Sequence, residues 1–380
     1  MEHKTRIERD SMGEVELPES ALYGPQTQRA LNNFTISTQT MDIRFIRSLL
    51  QIKRAAAEAN QELGLLATDK AETICAVIDD LAEDEIMRHF PVPMLQTGSG
   101  TSTNMNGNEV IAGLAALKGV ELSPNDDVNM GQSSNDVIPS ALHISSVLQL
   151  STEVLPALAG LIAVIEGVAA NHRQVVKTGR THLMDALPIR LSSELEAWAS
   201  QFKDNIDRLA DVIGRLKKVP LGGTAVGSGV NCAPGFVEKA LKSLNKRLCS
   251  DFEQVDSAYK GLSSIDTVLE TSGHLKTCAV TLMKIANDLR WMNSGPHSGL
   301  AEIRLKPLQP GSSIMVDKVN PVIPEAVCMA AAWVIGNDLA ITVAAQSGNF
   351  QLNTMLPLAA NDLLNSGELV ANSCLSLGEK

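Results

Sequence analysis

Five long segments with apolar residues at helical spacing dominate the chain and leave little freedom in its fold. They occupy residues 139–172, 191–216, 264–292, 325–345 and 357–377. Apolar residues recur in them every three or four positions, which is the period of an amphipathic helix. Because helices of this length must cover their apolar stripes with one another, we predict an all-α protein built around a bundle of long helices.

The fourth segment is apolar on almost every side. Residues 326–345 read AVCMAAAWVIGNDLAITVAA, with few polar positions to offer to water. A helix without a polar face is buried all round. Five helices in one chain do not supply enough surface for that, so we predict a homo-oligomer with these helices at its centre.

The composition is typical of a helical globular protein with an acidic surface. Of 380 residues, 44% are apolar and 3% aromatic, and the formal net charge is −11. Nucleic acids are excluded as partners because phosphate binding requires a basic face. We expect no membrane span, since no uninterrupted apolar stretch is long enough, and the first residues do not resemble a presequence. The six scattered cysteines are typical of reduced thiols in a cytoplasmic protein.

The pattern of the chain changes near residue 136. Before that point, short helical segments such as 45–63 and 68–86 alternate with connections rich in Gly, Asn and Pro. After it, the long apolar segments follow one another. We therefore predict an N-terminal, mostly helical domain over 1–136 and a long-helix bundle domain over 137–380.

One polar segment has the composition of an anion-binding loop. Residues 311–321 read GSSIMVDKVNP, and the small residues at its start can turn backbone N–H groups toward an anion. Lys318 adds a point charge and Asn320 a neutral donor. The alternative is a solvated turn between two helices.

Two earlier segments carry groups suited to carboxylates. Residues 96–110, QTGSGTSTNMNGNEV, combine hydroxyls and amides with glycines, and we expect them to form a polar loop. Residues 124–136, PNDDVNMGQSSND, place Ser133, Ser134 and Asn135 immediately before a long helix, at its positive end. For both segments, ordinary helix capping is the alternative.

A further polar segment contains the best candidate proton carrier. Residues 177–188 read KTGRTHLMDALP, and of the seven histidines only His182 lies in such a polar, glycine-containing turn. Imidazole titrates near neutral pH, which suits acid–base chemistry. Asp185 lies three residues on, but no third ligand follows at metal spacing, so we predict no metal site. The glycines of 221–229 have no predicted strand before them and do not form a dinucleotide-binding motif.

Six motifs occur together in the order found in the fumarase/aspartase superfamily, and the chain resembles class II fumarases over essentially its whole length. The motifs are GSGTSTNMNGNEV, PNDDVNMGQSSND, GRTHLMDALP, GGTAVGSGVN, KIANDLRWMNSGP and GSSIMVDKVNP. The resemblance implies a mainly all-α, fumarase/aspartase-like fold whose central long-helix bundle forms the core of a homotetramer, with active sites shared between subunits. It also implies a small dicarboxylate substrate and reversible hydration of fumarate to L-malate, without a metal or organic cofactor.

The resemblance further implies a role for individual residues. Ser312 would be the general base that removes the C3 proton, aided by Lys318. His182, oriented by Glu325, would handle the proton of the water at C2. The substrate carboxylates would be held by polar side chains from several segments: Ser99, Thr101, Asn104, Ser133, Ser134, Asn135, Thr181, Lys318 and Asn320.

Two other interpretations stay open. Aspartate ammonia-lyases share the superfamily, although they tend to carry Ala and Thr where this chain has Ser99 and Ser134, and Trp291 is also fumarase-like. The second alternative is an inactive paralogue that keeps the assembly for a structural or regulatory role, because a fold alone does not determine a function.

Three departures from the family pattern motivate the second alternative. Val316 and Asp317 replace the usual Pro-Gly pair, and the carboxylate of Asp317 beside Lys318 would repel a dianion by about 1–4 kcal/mol. Ser123 stands where fumarases usually have a histidine linked to a secondary anion site. The chain stops at Lys380, where the family normally continues, so we expect its small helical C-terminal domain to be absent or truncated.

Overall fold

A computed structural model describes residues 4–315 and 317–380, apart from the side chains of Glu83 and Asp84. Helices make up most of the chain, which confirms the prediction of a mainly α-helical protein. Val316 lies outside the described residues. The helices are α1 (Pro25–Asn33), α2 (Ile43–Glu62), α3 (Thr68–Asp80), α4 (Glu83–His89), α5 (Thr101–Leu117), α6 (Ser134–Gln149), α7 (Leu155–Asn171), α8 (Leu191–Leu216), α9 (Phe236–Leu248), α10 (Ala258–Ser263), α11 (Asp266–Met292), α12 (Val322–Gln346) and α13 (Leu356–Glu379).

Short strands in the described part of the chain pair two by two. Three pairs are antiparallel hairpins and the pair β5–β6 is parallel. The strands are β1 (Thr5–Asp10), β2 (Gly13–Pro18), β3 (Val176–Thr181), β4 (Met184–Arg190), β5 (Lys218–Val219), β6 (Glu253–Gln254), β7 (Gly348–Asn349) and β8 (Leu352–Asn353). The expectation that no strand precedes the glycines of 221–229 is wrong, because β5 does. At two residues, β5 is too short to build a dinucleotide-binding unit.

The long helices follow the apolar periodicity closely. Helix α8 has the predicted bounds, and α11, α12 and α13 each begin within three residues of the predicted start. The exception is the helix predicted over 139–172. It consists of α6, a π-helical turn at Leu150–Val154 and α7, and it begins ahead of Pro139.

A capping box explains this early start. The side chain of Ser133 accepts a hydrogen bond from the Asn135 N–H at 3.2 Å, and Asp136 Oδ1 accepts from the Ser133 N–H at 2.9 Å. This reciprocal pair satisfies N–H groups that the helix itself leaves free. The prediction that all three polar residues precede the helix is therefore wrong, because Ser134 and Asn135 belong to its first turn.

Two predictions in the first third of the chain need similar correction. The helix expected over 68–86 is divided into α3 and α4, because Leu81 takes an extended conformation. Only the first five residues of 96–110 form a loop, since α5 begins at Thr101. Its first turn is capped from outside by Gln96, whose Oε1 accepts from the Thr103 N–H at 2.9 Å.

The chain forms two compact units, each assembled from three stretches. The first contains Met1–Val147, Gly214–Leu269 and Ala340–Leu364, and the second contains Leu148–Ile213, Glu270–Leu339 and Asn365–Lys380. The predicted boundary at residue 136 stays a prediction. In the first unit, α2 packs against α3 and α9 and buries Phe45, Leu49 and Ile52 completely.

Two helical stretches are long and apolar enough to cross a membrane by length and composition alone, namely Ser134–Asn171 and Val322–Gln346. Neither is uninterrupted, since Ser134–Asn171 contains Asp136, Glu153 and Glu166. Helix α12 contains Asn337 and Asp338, which are both buried and engaged in polar contacts. On the same helix Met329 and Trp333 are 68% and 61% exposed in the single chain. The helix thus has polar groups inside and apolar groups outside, which fits a contact with further protein.

A buried glutamate on α5 completes the start of α1. No side chain of α1 caps its own N-terminus, where Gly24 is the N-cap. The carboxylate of Glu109 instead accepts the N–H groups of Gly24 (3.0 Å), Gln26 (2.9 Å) and Thr27 (3.0 Å). A carboxylate at this position also interacts favourably with the helix dipole. One side chain thereby fixes the placement of α1 against α5.

We expect Glu109→Ala to lower the free energy of unfolding by about 3 kcal/mol, because it strands several buried N–H donors at once. Glu109→Gln keeps one acceptor and should lose less. Urea denaturation followed by circular dichroism measures both variants. Equal losses for Ala and Gln would contradict the capping role.

Candidate active site

The first group of candidate residues lies where a short loop enters α5. Ser99 and Thr101 are joined through their hydroxyls at 2.8 Å. Two glycines make this turn possible. Gly100 has a left-handed φ of 73°, and a Cβ on Gly98 would lie 1.8 Å from the carbonyl oxygen of Thr354. The loop therefore presents its hydroxyls on a closely packed backbone.

Asn104 connects this loop to the start of α6. Its side chain is 1% exposed, and its Nδ2 donates to Ser134 Oγ at 3.2 Å and to Asn129 Oδ1 at 3.1 Å. Its own Oδ1 is buried without a hydrogen-bond partner among the described residues. Unpaired buried acceptors are uncommon in folded proteins, and the Oδ1 atoms of Asn106 and Asn108 on the same helix are unpaired as well. Ser99, Thr101, Asn104 and Ser134 are thus held in pairs within one unit.

The other two candidates of this group lie around the start of α6. Ser133 uses its hydroxyl in the capping box, as described above. Asn135 donates its side-chain amide to the carbonyl of Ala225 at 2.8 Å. The segment around Ala225 is the glycine-rich stretch 221–229, whose role the sequence left unexplained.

Two buried charges behind this group were missed by the sequence analysis. Asp136 Oδ2 accepts the N–H groups of Gly222 and Thr224, both at 2.9 Å. Burial raises the pKa of Asp136, although these N–H donors oppose the rise. Lys53 is fully buried, and burial lowers its pKa to about 7 against the opposing attraction of Asp136. A lysine at helical spacing among Ile46, Leu49 and other core residues of α2 was the available signal.

The second group begins with the hairpin of β3 and β4. Thr181 ends β3 and pairs with Met184, so His182 and Leu183 form a two-residue turn. Their φ values of 57° and 61° are left-handed, as a tight hairpin requires. The polar turn predicted around His182 therefore exists, but strands flank it. His182 is exposed at the hairpin tip.

Charged side chains fix this hairpin from one side. Lys177 Nζ lies 2.7 Å from Glu194 Oε2 and 2.8 Å from Glu302 Oε2, and Arg180 forms a further ion pair with Glu302. The four side chains line a cavity of about 740 Å³, together with His182 and Trp291. Glu302 thus joins β3 to the segment that precedes the loop over 311–320.

The loop over 311–320 is closed at its base by its own polar groups. The Gly311 N–H donates to the Lys318 carbonyl at 2.8 Å, and Asn320 Nδ2 donates to the Gly311 carbonyl at 2.8 Å. One amide hydrogen of Asn320 is therefore already used in a hydrogen bond within the loop. Lys318 and Asp317 are exposed, and neither forms an ion pair with another described residue.

Ser312 has a particular environment within this loop. Its Oγ accepts hydrogen bonds from the backbone N–H groups of Ile314 (3.3 Å) and Met315 (3.1 Å). Donors aimed at an oxygen favour its ionised form. Glu325 lies in the first turn of α12, and within the described part of this chain no hydrogen bond joins it to His182.

The described residues contain no group of three or more His, Cys, Asp and Glu side chains arranged to hold a metal ion. His143 is an example of a histidine with a structural role. It is partly buried, and its Nδ1 lies 3.1 Å from the Leu216 carbonyl oxygen and 2.9 Å from that of Lys218. Burial lowers its pKa.

The contacts of Glu302 predict an acid-sensitive stability. Burial favours its neutral form, but hydrogen bonds from Lys177 and Arg180 outweigh that effect and hold the pKa of Glu302 below its usual value. Its stabilising contribution is therefore complete above the ordinary glutamate pKa and is lost as pH falls through the lowered value. We expect Glu302→Gln to cost about 2 kcal/mol at pH 7 and progressively less in acid.

Chemical denaturation at a series of pH values measures this effect. Asp185→Asn is the matched control, because Asp185 contacts the same Arg180 at 3.8 Å but is 86% exposed. It should change stability little at any pH. A Glu302→Gln deficit that stays constant between pH 7 and pH 3 would contradict the assignment.

Comparison with known proteins agrees with these features. A family model described as lyase matches residues 13–336. Fumarate hydratase class II 2 of Pseudomonas aeruginosa is 54% identical over 377 residues, covering 99% of this chain and 82% of that protein. Fumarate hydratase class II of Mycobacterium tuberculosis is 47% identical over 368 residues, covering 97% and 78%. The crystal structure of class II fumarase from Schistosoma mansoni matches with a TM-score of 0.96 at 35% identity, over 99% of this chain and 84% of that one. The chain therefore belongs to the lyase family, among the class II fumarate hydratases.

Proposed function

We propose that the protein is a fumarate hydratase that adds water reversibly to fumarate to give L-malate. The observation that carries this proposal is the environment of Ser312, whose Oγ receives two backbone N–H groups in a loop that also holds Lys318. Family membership and the six ordered motifs support it independently. Ser99 and Ser134 favour hydration over ammonia elimination within the superfamily.

Ser312 acts as the general base in this proposal. A proton next to a carboxylate is very weakly acidic, so its removal from malate creates a doubly charged aci-carboxylate. A serine oxygen takes such a proton only if its alkoxide is stabilised, which the N–H groups of Ile314 and Met315 do. The ammonium of Lys318, two residues before the Asn320 that closes the loop, adds a positive charge for the developing dianion.

The substrate carboxylates are bound largely by neutral donors. Hydroxyls and amides avoid the desolvation cost of packing many charges together. One group of donors comes from the start of α5 and α6 and the other from the hairpin and the loop before α12. The binding residues of the proposal are Ser99, Thr101, Asn104, Ser133, Ser134, Asn135, Thr181, Lys318 and Asn320.

His182 handles the proton of the water that adds at C2, and Glu325 orients it. In one chain these two side chains are not hydrogen-bonded to each other. His182 stands exposed at a hairpin tip with apolar neighbours, Leu183 and Met184, that are 71% and 70% exposed. We therefore place the contact between His182 and Glu325 across an interface between copies of the chain.

A homotetramer supplies that interface. Its core is the set of long helices whose apolar side chains are exposed in a single chain, above all Met329, Trp333 and Leu339 of α12. The same contacts account for the two helices of membrane-spanning length without a bilayer. A cytoplasmic location is part of this proposal, as is the division into domains over 1–136 and 137–380.

We expect the purified protein to consume fumarate without added ammonium, and Ser312→Ala to remove nearly all of that activity. The neighbouring Ser313→Ala is the control, since Ser313 Oγ accepts neither of the two N–H groups that Ser312 does. Fumarate absorbance, recorded with and without ammonium, measures both. Fumarate consumption that requires ammonium would instead identify an ammonia-lyase. No fumarate consumption under either condition would favour an inactive paralogue, with Asp317 as the first residue to replace.

Light scattering tests the assembly. We expect a tetrameric mass for the wild type and a smaller species for Trp333→Asp, because a charge at this exposed apolar position cannot be buried against another subunit. Met12→Asp is the control: Met12 is 79% exposed but lies in the turn between β1 and β2. A monodisperse monomer of wild-type chain would rule out the shared active site.

A further inference from the structure

We infer that Lys53 is a positioning residue for the proposed reaction. Its buried ammonium fixes the side chains of Asn129 and Gln132, and through Asn129 it fixes the Asn104–Ser134 pair. The inference rests on the proposed function, because Asn104 and Ser134 are proposed substrate-binding residues. It assigns a task in the site to a helix, α2, that contributes no substrate-binding group.

The ammonium of Lys53 is committed to two side-chain amides. Lys53 lies in the middle of α2 and is 0% exposed. Its Nζ donates to Asn129 Oδ1 at 2.8 Å and to Gln132 Oε1 at 3.0 Å. Hydrogen bonds from a charged donor are about twice as strong as neutral ones and more demanding in geometry. The two amides are therefore held in one orientation.

Asn129 connects the ammonium of Lys53 to side chains of α5. Its Oδ1 also accepts from Asn104 Nδ2 at 3.1 Å and from Asn108 Nδ2 at 3.2 Å. Its own Nδ2 donates to the Gln132 carbonyl at 3.1 Å. One oxygen thus links α2, two residues of α5 and the segment that leads into α6.

The same network reaches the proposed binding residues directly. The Nδ2 of Asn104 that contacts Asn129 also lies 3.2 Å from Ser134 Oγ. Gln132, the second partner of Lys53, immediately precedes Ser133, and its Nε2 donates to the Val128 and Met130 carbonyls at 3.1 and 3.2 Å. We expect a change in the orientation of Asn129 to move Ser134 Oγ through Asn104, and a change at Gln132 to move the backbone that carries Ser133.

Stability alone does not account for a lysine at this position. Burying an ammonium is costly, and apolar residues of similar volume often replace buried charges with no loss of stability or with a gain. The lowered pKa of Lys53, about 7, reflects that cost. Asp136 is the charged group that opposes it, and its carboxylate is itself engaged by backbone N–H groups. Precise placement of polar side chains is what the charge supplies in return.

The test compares two lysines that contact the same segment. Lys53→Met keeps the length of the side chain and removes the donor. We expect the KM for fumarate to rise about tenfold or more while kcat changes less than threefold, since displaced donors weaken substrate binding. Lys70→Met is the matched control, because Lys70 pairs with Asp127 at 2.7 Å on a more exposed side of the segment. Its KM should stay within twofold of the wild type.

A merely structural role predicts a different pattern. Partial misfolding would lower kcat per total protein in proportion to the folded fraction and leave the KM of the remaining enzyme unchanged. That result for Lys53→Met would overturn the inference. If Lys53→Met does not fold, Gln132→Met provides the decision, because it removes one of the two acceptors of the ammonium. A KM increase of about three- to tenfold supports the inference, and an unchanged KM overturns it.

Calorimetric titration with succinate, a dicarboxylate that cannot be hydrated, separates this inference from the proposed function. Weaker succinate binding by Lys53→Met than by Lys70→Met supports the positioning role even if the wild type does not turn over fumarate. Equal succinate affinities for the two variants overturn it. Absence of fumarate turnover by the wild type would count against the proposed function alone.

Discussion

The apolar faces of the long helices are the constraint on which the rest of this protein depends. Helix α8 buries Trp198 and Phe202 within its own unit, whereas α12 leaves Met329 and Trp333 exposed. Covering apolar surface stabilises an assembly by about 25 cal/mol per Å². Helices committed to such contacts along their length leave catalytic groups to their ends and to the connections between them. The candidate residues are found in those places.

Helix starts offer unpaired N–H groups and a positive dipole, which suit a dicarboxylate. Thr101 begins α5, Ser134 begins α6, and the loop that holds Ser312 leads into α12. The hairpin with His182 leads into α8. The starts of α5 and α6 are each closed by a local polar contact, from Gln96 to Thr103 and from Asp136 to Ser133. Polar contacts therefore fix the conformation of the loops at these helix starts.

Local periodicity predicted the long helices well and the polar ones poorly. The bounds of α8 follow directly from its alternating apolar and charged residues. The hydroxyls, amides and glycines of 96–110 predict a polar loop, whereas Asn104, Asn106 and Asn108 are buried side chains of helix α5. Their partners, among them Asn129 and the His89 carbonyl, come from other parts of the chain, and no spacing rule indicates them.

The sequence by itself determined the helical class, the long-helix bundle and the family, because apolar period and ordered motifs are local properties of the chain. It also singled out His182 and Lys318 by their chemistry, and Ser312 by the family resemblance. Only the tertiary structure decided which polar and charged side chains from distant parts of the chain meet. Lys53 meets Asn129 across 76 residues, and Arg180 meets Glu302 across 122. Such pairs form because folding brings distant segments together, and their free energy depends on burial and distance, which residue order alone does not encode.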